Sequence, residues 1–164
     1  FFQIYNDIDN ARREQERFSQ LKDLCRTKLG DIQASVPLWL TEYEQIHRSY
    51  DDLKRMARFL VAVCPGSEMD RIVYVWYQEA PSNTRCEMMG WFLASYWEEV
   101  DSPYVACVKP LKEFVARDDV GSMTQQGPFD ALWILATTKV GEILGRSEQS
   151  ELESFLRKRS TRIG

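Results

Sequence analysis

The chain has 164 residues, 44% hydrophobic and 28% charged, with eight glycines and six prolines. That mixture is too apolar for a disordered tail and too poor in Gly and Pro for a loop-rich chain, and at this length folding buries about 70% of the unfolded surface without help from metal or disulfide. The formal net charge of −4 excludes a uniformly basic protein whose whole surface attracts nucleic acid.

Strand signals are scarce, whereas period-3.6 patterns and caps recur along the chain. A first helix is expected over about 3–29, with Ile4, Ile8, Ala11, Phe18, Leu21, Cys25 and Leu29 on one face and Gly30 ending it. Ser35-Val36-Pro37 reads as the start of a second, bearing Leu38, Trp39, Tyr43 and Ile46. A third, about 51–64, opens on Asp51 and Asp52, which suit the positive end of the helix dipole, and closes at Cys64-Pro65-Gly66. Ser67 is expected to cap a fourth (about 68–79) and Ser82 a fifth (about 83–100). Ser102-Pro103 repeats the cap-then-Pro start, and Pro110 must kink or split the sixth helix. Residues 118–127 read as a loop. Pro128 opens a seventh helix, packed through Phe129, Leu132, Leu135, Ala136, Val140 and Ile143 and closed by Gly145; the last runs over about 148–160. The chain therefore reads as all-α: about eight helices in two packed helical subdomains, 1–101 and 102–164, divided at Asp101-Ser102-Pro103.

The longest apolar run, Phe59 to Cys64, falls far short of the about 20 residues a spanning helix needs, so no membrane is implied. The N-terminal residues lack the basic and apolar regions of a signal peptide. Cys25, Cys64, Cys86 and Cys107 show no zinc or redox spacing and sit among apolar neighbours. They are expected to be buried reduced thiols, which points to the cytoplasm.

Little here suggests catalysis. His47 is the only histidine; Glu44-Gln-Ile-His47 has half of a di-iron motif, whose second histidine does not exist. No glycine-rich phosphate loop and no calcium-loop spacing occur, so the expectation is a non-enzyme without cofactor or metal.

Local charge is more informative than the total. Residues 67–101 hold seven acids against Arg71 and Arg85, a net of −5. Residues 53–66 hold Lys54, Arg55 and Arg58 with no acid, and residues 157–164 hold Arg157, Lys158, Arg159 and Arg162, again with none. On a helix Lys54, Arg55 and Arg58 share an arc of about 100°, beside an apolar face of Leu53, Met56, Ala57, Leu60, Val61 and Cys64. Such a ridge can hold phosphates without reading bases. A solvated face paired with a neighbour's acids explains it equally well, and the 157–159 cluster also complements its helix dipole. Arg12, Arg13 and Arg17 form a third, weaker patch, interleaved with Glu14 and Glu16. Tyr74, Trp76, Tyr77, Trp91, Phe92, Tyr96 and Trp97 crowd the acidic stretch, which points to core packing or a protein interface rather than base stacking.

A small, all-helical, cysteine-bearing chain that starts Phe1-Phe2 and carries basic faces such as Lys54-Arg55-x-x-Arg58 on an acidic background resembles the silencing suppressors of closteroviruses of the beet yellows virus type. The resemblance implies a ring-like homo-oligomer in the host cytoplasm that sequesters small RNA through a positive inner surface, with little sequence preference. The expected contacts are Lys54, Arg55 and Arg58, supported by Arg157, Lys158, Arg159 and by Arg12, Arg13, Arg17. The alternative is a helical interaction or assembly subunit using an aromatic-rich acidic surface.

Overall fold

The computed structural model describes residues 2–46, 49–138 and 143–163, with side chains between 9 and 161. His47, Val140 and the side chains of Ile4, Ile8 and Arg162 lie outside the described residues. Among those described the chain is all-α, with eight α-helices and one short 3-10 turn. In order these are α1 (Phe2–Thr27), α2 (Leu29–Ile46), α3 (Asp51–Val63), α4 (Met69–Glu79), α5 (Asn83–Glu99), the turn Val105–Cys107, α6 (Val108–Ala116), α7 (Gln126–Thr137) and α8 (Arg146–Ile163). None of them is long and apolar enough to cross a membrane.

The fold is organised around α5, which buries Met88, Met89, Phe92, Leu93, Tyr96 and Trp97. It packs most extensively on α7 and then on α3, while α7 also packs on α6 and α8. Two glycines set the α5–α7 distance. A Cβ on Gly90 would stand 2.3 Å from the Pro128 nitrogen, and one on Gly127 would stand 2.7 Å from the Trp91 ring. One buried cluster runs from Cys25 to Leu156, across position 101. All four cysteines are free and buried.

Several expected features recur. Ser82 caps α5, its hydroxyl accepting from the Arg85 amide at 3.1 Å. After α3 the chain turns through Gly66 at φ 81°, a left-handed conformation that favours glycine.

Other boundaries move, each for a local physical reason. Gly30 does not end a helix: α1 stops at Thr27 and α2 starts at Leu29, so Gly30 lies in α2's first turn and Pro37 in its interior. Ser67 does not cap α4. The Met69 amide instead donates to the Tyr96 hydroxyl at 3.2 Å, and that hydroxyl donates to the Ser67 carbonyl. Pro110 neither kinks nor splits a helix, because α6 starts at Val108 and places it in the first turn, where a missing N–H costs little. α7 ends at Thr137, well before Gly145, where the Thr137 and Thr138 hydroxyls bond back to the Trp133 and Ile134 carbonyls.

Two polar anchors hold the helices in place. Asp70, buried in α4, accepts from Trp97 Nε1 at 3.1 Å and from the Tyr104 amide at 2.6 Å. Arg85 pairs with Glu44 at 3.0 Å, donates to the Trp76 carbonyl at 2.7 Å and lies 4.2 Å over the Trp76 ring, joining α2, α4 and α5.

Candidate nucleic-acid interface

The apolar face expected for α3 is turned inward: Leu53, Ala57, Leu60 and Cys64 are buried, with Met56 and Val61 half-buried against the core. Its cations do not form one ridge. Lys54 and Arg58 face a cleft of about 270 Å³ lined also by Trp91, Glu98, Asp130 and Trp133. Arg55 faces a second cleft, with Trp39, Glu42, Ile46 and Phe59, and lies 3.8 Å from Asp52. One turn of helix thus sends neighbouring cations to different surfaces.

In the first cleft the Lys54 ammonium sits 4.5 Å over the Trp91 ring. Tyr50 stacks with the same indole at 5.8 Å. On the neighbouring wall Phe129 and Trp133 stack at 6.1 Å, and Arg157 of α8 lies 5.4 Å over Trp133. Arg157, a hundred residues from Lys54 in the chain, thus reaches Trp133, one of the residues that line the cleft. Cation–ring contacts of this kind hold long side chains in place at a gain of about 0.5–1 kcal/mol each where solvent reaches them.

The groove is not purely basic. Asp130 accepts from Gln126 Nε2 at 2.7 Å. Burial raises its carboxyl above the ordinary range, the Gln126 bond and Lys54 oppose that rise, and Glu98 adds to it. Arg157 pairs with Glu153 at 2.8 Å.

The remaining expected cations divide clearly. Arg12 pairs with Glu16 at 3.3 Å and Arg13 with Asp9 at 2.9 Å, all on α1. Arg17, Arg58 and Lys158 are exposed, and among the described residues none of them forms an ion pair. Arg159 is withdrawn from the surface. It donates to the Val115 and Arg117 carbonyls at 3.1 and 3.2 Å and pairs with Asp118, so it closes the end of α6.

Of the seven aromatics in the acidic stretch, Tyr74, Tyr77 and Trp91 are half-buried against the core. Trp76, Phe92, Tyr96 and Trp97 are buried core residues, because α5 is central and apolar burial dominates their placement. Exposed apolar side chains include Leu38 and Ile46 of α2 and Phe59 of α3, which are 70%, 51% and 46% exposed. Sequence reasoning missed Trp91, Trp133 and Asp130 as parts of the groove. Their only local mark is the Phe129–Trp133 spacing of one helical turn. Among the described residues no three His, Cys, Asp or Glu side chains gather as a metal site requires.

Family models, curated proteins and solved structures were all compared with the chain, and none matches.

Proposed function

We propose that this chain is a cytoplasmic, non-enzymatic RNA-binding protein that holds small RNA by its phosphates as a homo-oligomer, acting as a suppressor of RNA silencing. The supporting observation is the groove lined by Lys54 and Arg58 of α3, with Arg157 of α8 lying over Trp133, one of its lining residues. Its cations are carried on ordered aromatic surfaces or point into solvent.

Intrachain ion pairs do not remove most of these cations. The Arg12, Arg13, Arg55 and Arg157 pairs join exposed side chains three or four residues apart, and such pairs are worth about 0–1 kcal/mol. A phosphate can replace the carboxylate at little cost. Arg159 is different: it serves the fold, so it is left out of the contact set.

The test is titration of a short RNA at low and moderate salt, with the mass of the protein measured beside it. Lys54→Ala with Arg58→Ala removes two phosphate contacts per subunit, so the log–log salt slope falls by about 1.5 while helicity stays unchanged. No RNA binding even at low salt discards the proposal.

A second reading, an assembly or docking subunit, is favoured by one observation: the exposed Leu38, Ile46 and Phe59 on α2 and α3. A protein that forms oligomers yet ignores RNA at low salt fits that reading instead.

A further inference from the structure

The cleft that Lys54 and Arg58 line carries both signs of charge. Lys54 and Arg58 come from α3, Ser95 and Glu98 from α5, and Asp130 and Trp133 from α7. Phosphate alone accounts for the cations but not for the acids, which repel it. A ligand that suits both carries an anion and, a short way off, a group with hydrogen-bond donors.

Two polar side chains of α5 have no partner among the described residues. Ser95 is 3% exposed, yet it lines the cleft and its hydroxyl makes no hydrogen bond. A serine buried to that depth ordinarily has its hydroxyl bonded, so this one is open to a ligand. Glu98, three residues on and therefore on the same helix face, is exposed and makes neither ion pair nor hydrogen bond. Asp130 differs, because Gln126 Nε2 already bonds to one of its oxygens.

The two indoles of the cleft are not equivalent either. Lys54 lies over Trp91 at 4.5 Å and Tyr50 stacks on the same ring. Trp133 is backed by the buried Phe129, with the ring planes 9° apart, and carries Arg157 at 5.4 Å. That guanidinium is otherwise held by an exposed pair with Glu153, so a planar base can take its place on the indole.

We propose that this cleft binds one unpaired guanosine nucleotide, with its base on Trp133, its pairing edge on Glu98 and its phosphate on Lys54, Arg58 and Ser95. Guanine presents N1–H and its 2-amino group side by side, and one carboxylate accepts from both. Adenine and cytosine set their amino group beside an acceptor, and uracil flanks its N–H with two carbonyls. Each of those three turns an acceptor toward Glu98. A duplex occupies the same edge, so the guanine belongs to a single strand or to a free nucleotide. The inference rests on the proposed RNA binding and adds a base to it.

The experiment titrates GMP, AMP, CMP and UMP into the full chain at low salt, read by tryptophan fluorescence and calorimetry. GMP should quench the emission and bind about 5- to 150-fold more tightly than AMP, the discrimination of one bidentate base contact. Glu98→Gln, a change on an exposed side chain, should abolish that preference, while Ser95→Ala should weaken all four nucleotides alike. A second arm uses 5′-phosphorylated single strands that begin with G or with A. A G-strand held far more tightly than GMP makes RNA the source, and equal affinity makes the free nucleotide the ligand. Four nucleotides bound equally, GMP ignored at millimolar concentration, or a GMP preference that survives Glu98→Gln overturns the proposal. RNA bound at low salt beside indifferent nucleotides would strike the base site and leave the phosphate reading. GMP bound while RNA is ignored would do the reverse.

Discussion

Asp130 sits in the α3–α5–α7 groove with Lys54 and Glu98, and with Gln126 one turn away on its own helix. Its carboxyl is harder to ionise when folded than its ordinary 3.8. Between those two values the folded chain binds more protons than the unfolded one. The contribution of Asp130 to stability is therefore full below its ordinary 3.8 and is lost as pH climbs through the raised value. Asp130→Asn keeps the shape and an oxygen for Gln126, so it should flatten that fall and raise the melting temperature at pH 7. Removing the charge also favours phosphate: wild-type RNA binding should strengthen as pH falls from neutral through the raised Asp130 value, and that of Asp130→Asn should change less. An acid-independent wild type would show that Asp130 does not face the ligand. Arg159 makes the opposite case. Its truncation removes two bonds at the end of α6 and leaves the Val115 and Arg117 carbonyls to Gln125 Nε2 alone, at a cost of about 1 kcal/mol. The RNA salt slope of Arg159→Ala should match wild type, whereas that of Arg58→Ala should not. Urea denaturation beside RNA titration separates the two.

At the scale of elements, α2 carries the clearest conflict between local preference and fold. Pro37 lies inside a helix of 18 residues, where it removes one backbone bond and costs about 3 kcal/mol relative to alanine. Proline returns about 0.4–1 kcal/mol by stiffening the unfolded chain. Pro37→Ala should therefore stabilise the protein by roughly 2 kcal/mol, read as a higher urea midpoint with an unchanged slope. A loss of stability would mean that the Pro37 ring, which lies with Trp76, Ile72 and Val75, contributes more through packing than it takes from the helix. Proline looked like a start signal because a first-turn proline and an interior one leave the same mark in the sequence. α3 was readable throughout, since its acidic start, apolar face and Cys64-Pro65-Gly66 ending are all local. The α4 start was not, because its cap is Tyr96, 27 residues from the Met69 amide it serves. Gln125 is a similar case: buried in the loop before α7, it donates to the Phe114 and Arg117 carbonyls at 2.9 and 2.7 Å and closes α6. The basic patches were legible as composition. Where their cations rest was not, because Lys54 on Trp91 and Arg157 on Trp133 are contacts of the finished fold.

For the whole molecule, the proposed RNA binding turns on how many grooves one RNA would touch at once. A single groove sets Lys54 and Arg58 against Glu98 and Asp130, with Arg157 and its partner Glu153 beside Trp133, so on the proposed reading one copy would hold a polyanion weakly. Linked copies convert later contacts into intramolecular ones and raise avidity by about 10²–10⁴ without any new chemistry. The surface best suited to bring copies together is on α2 and α3, where Ile46 and Phe59 share a cleft with Trp39 and Met56. That cleft opens on a different part of α3 from the groove: Arg55 faces one and Arg58 the other. Assembly can thus be disturbed without altering a phosphate contact. Phe59 is 46% exposed, so a polar replacement changes folding stability by only about 0.5–1 kcal/mol. It would nevertheless place a charge in any apolar interface formed there. Phe59→Asp should lower the mass seen by light scattering toward that of one chain. RNA affinity should fall by at least about a hundredfold, with far-UV circular dichroism unchanged. An oligomer of undiminished mass would place the interface elsewhere. A monomer that binds RNA as tightly as wild type would remove repetition from the account and leave the single groove to explain all of the affinity.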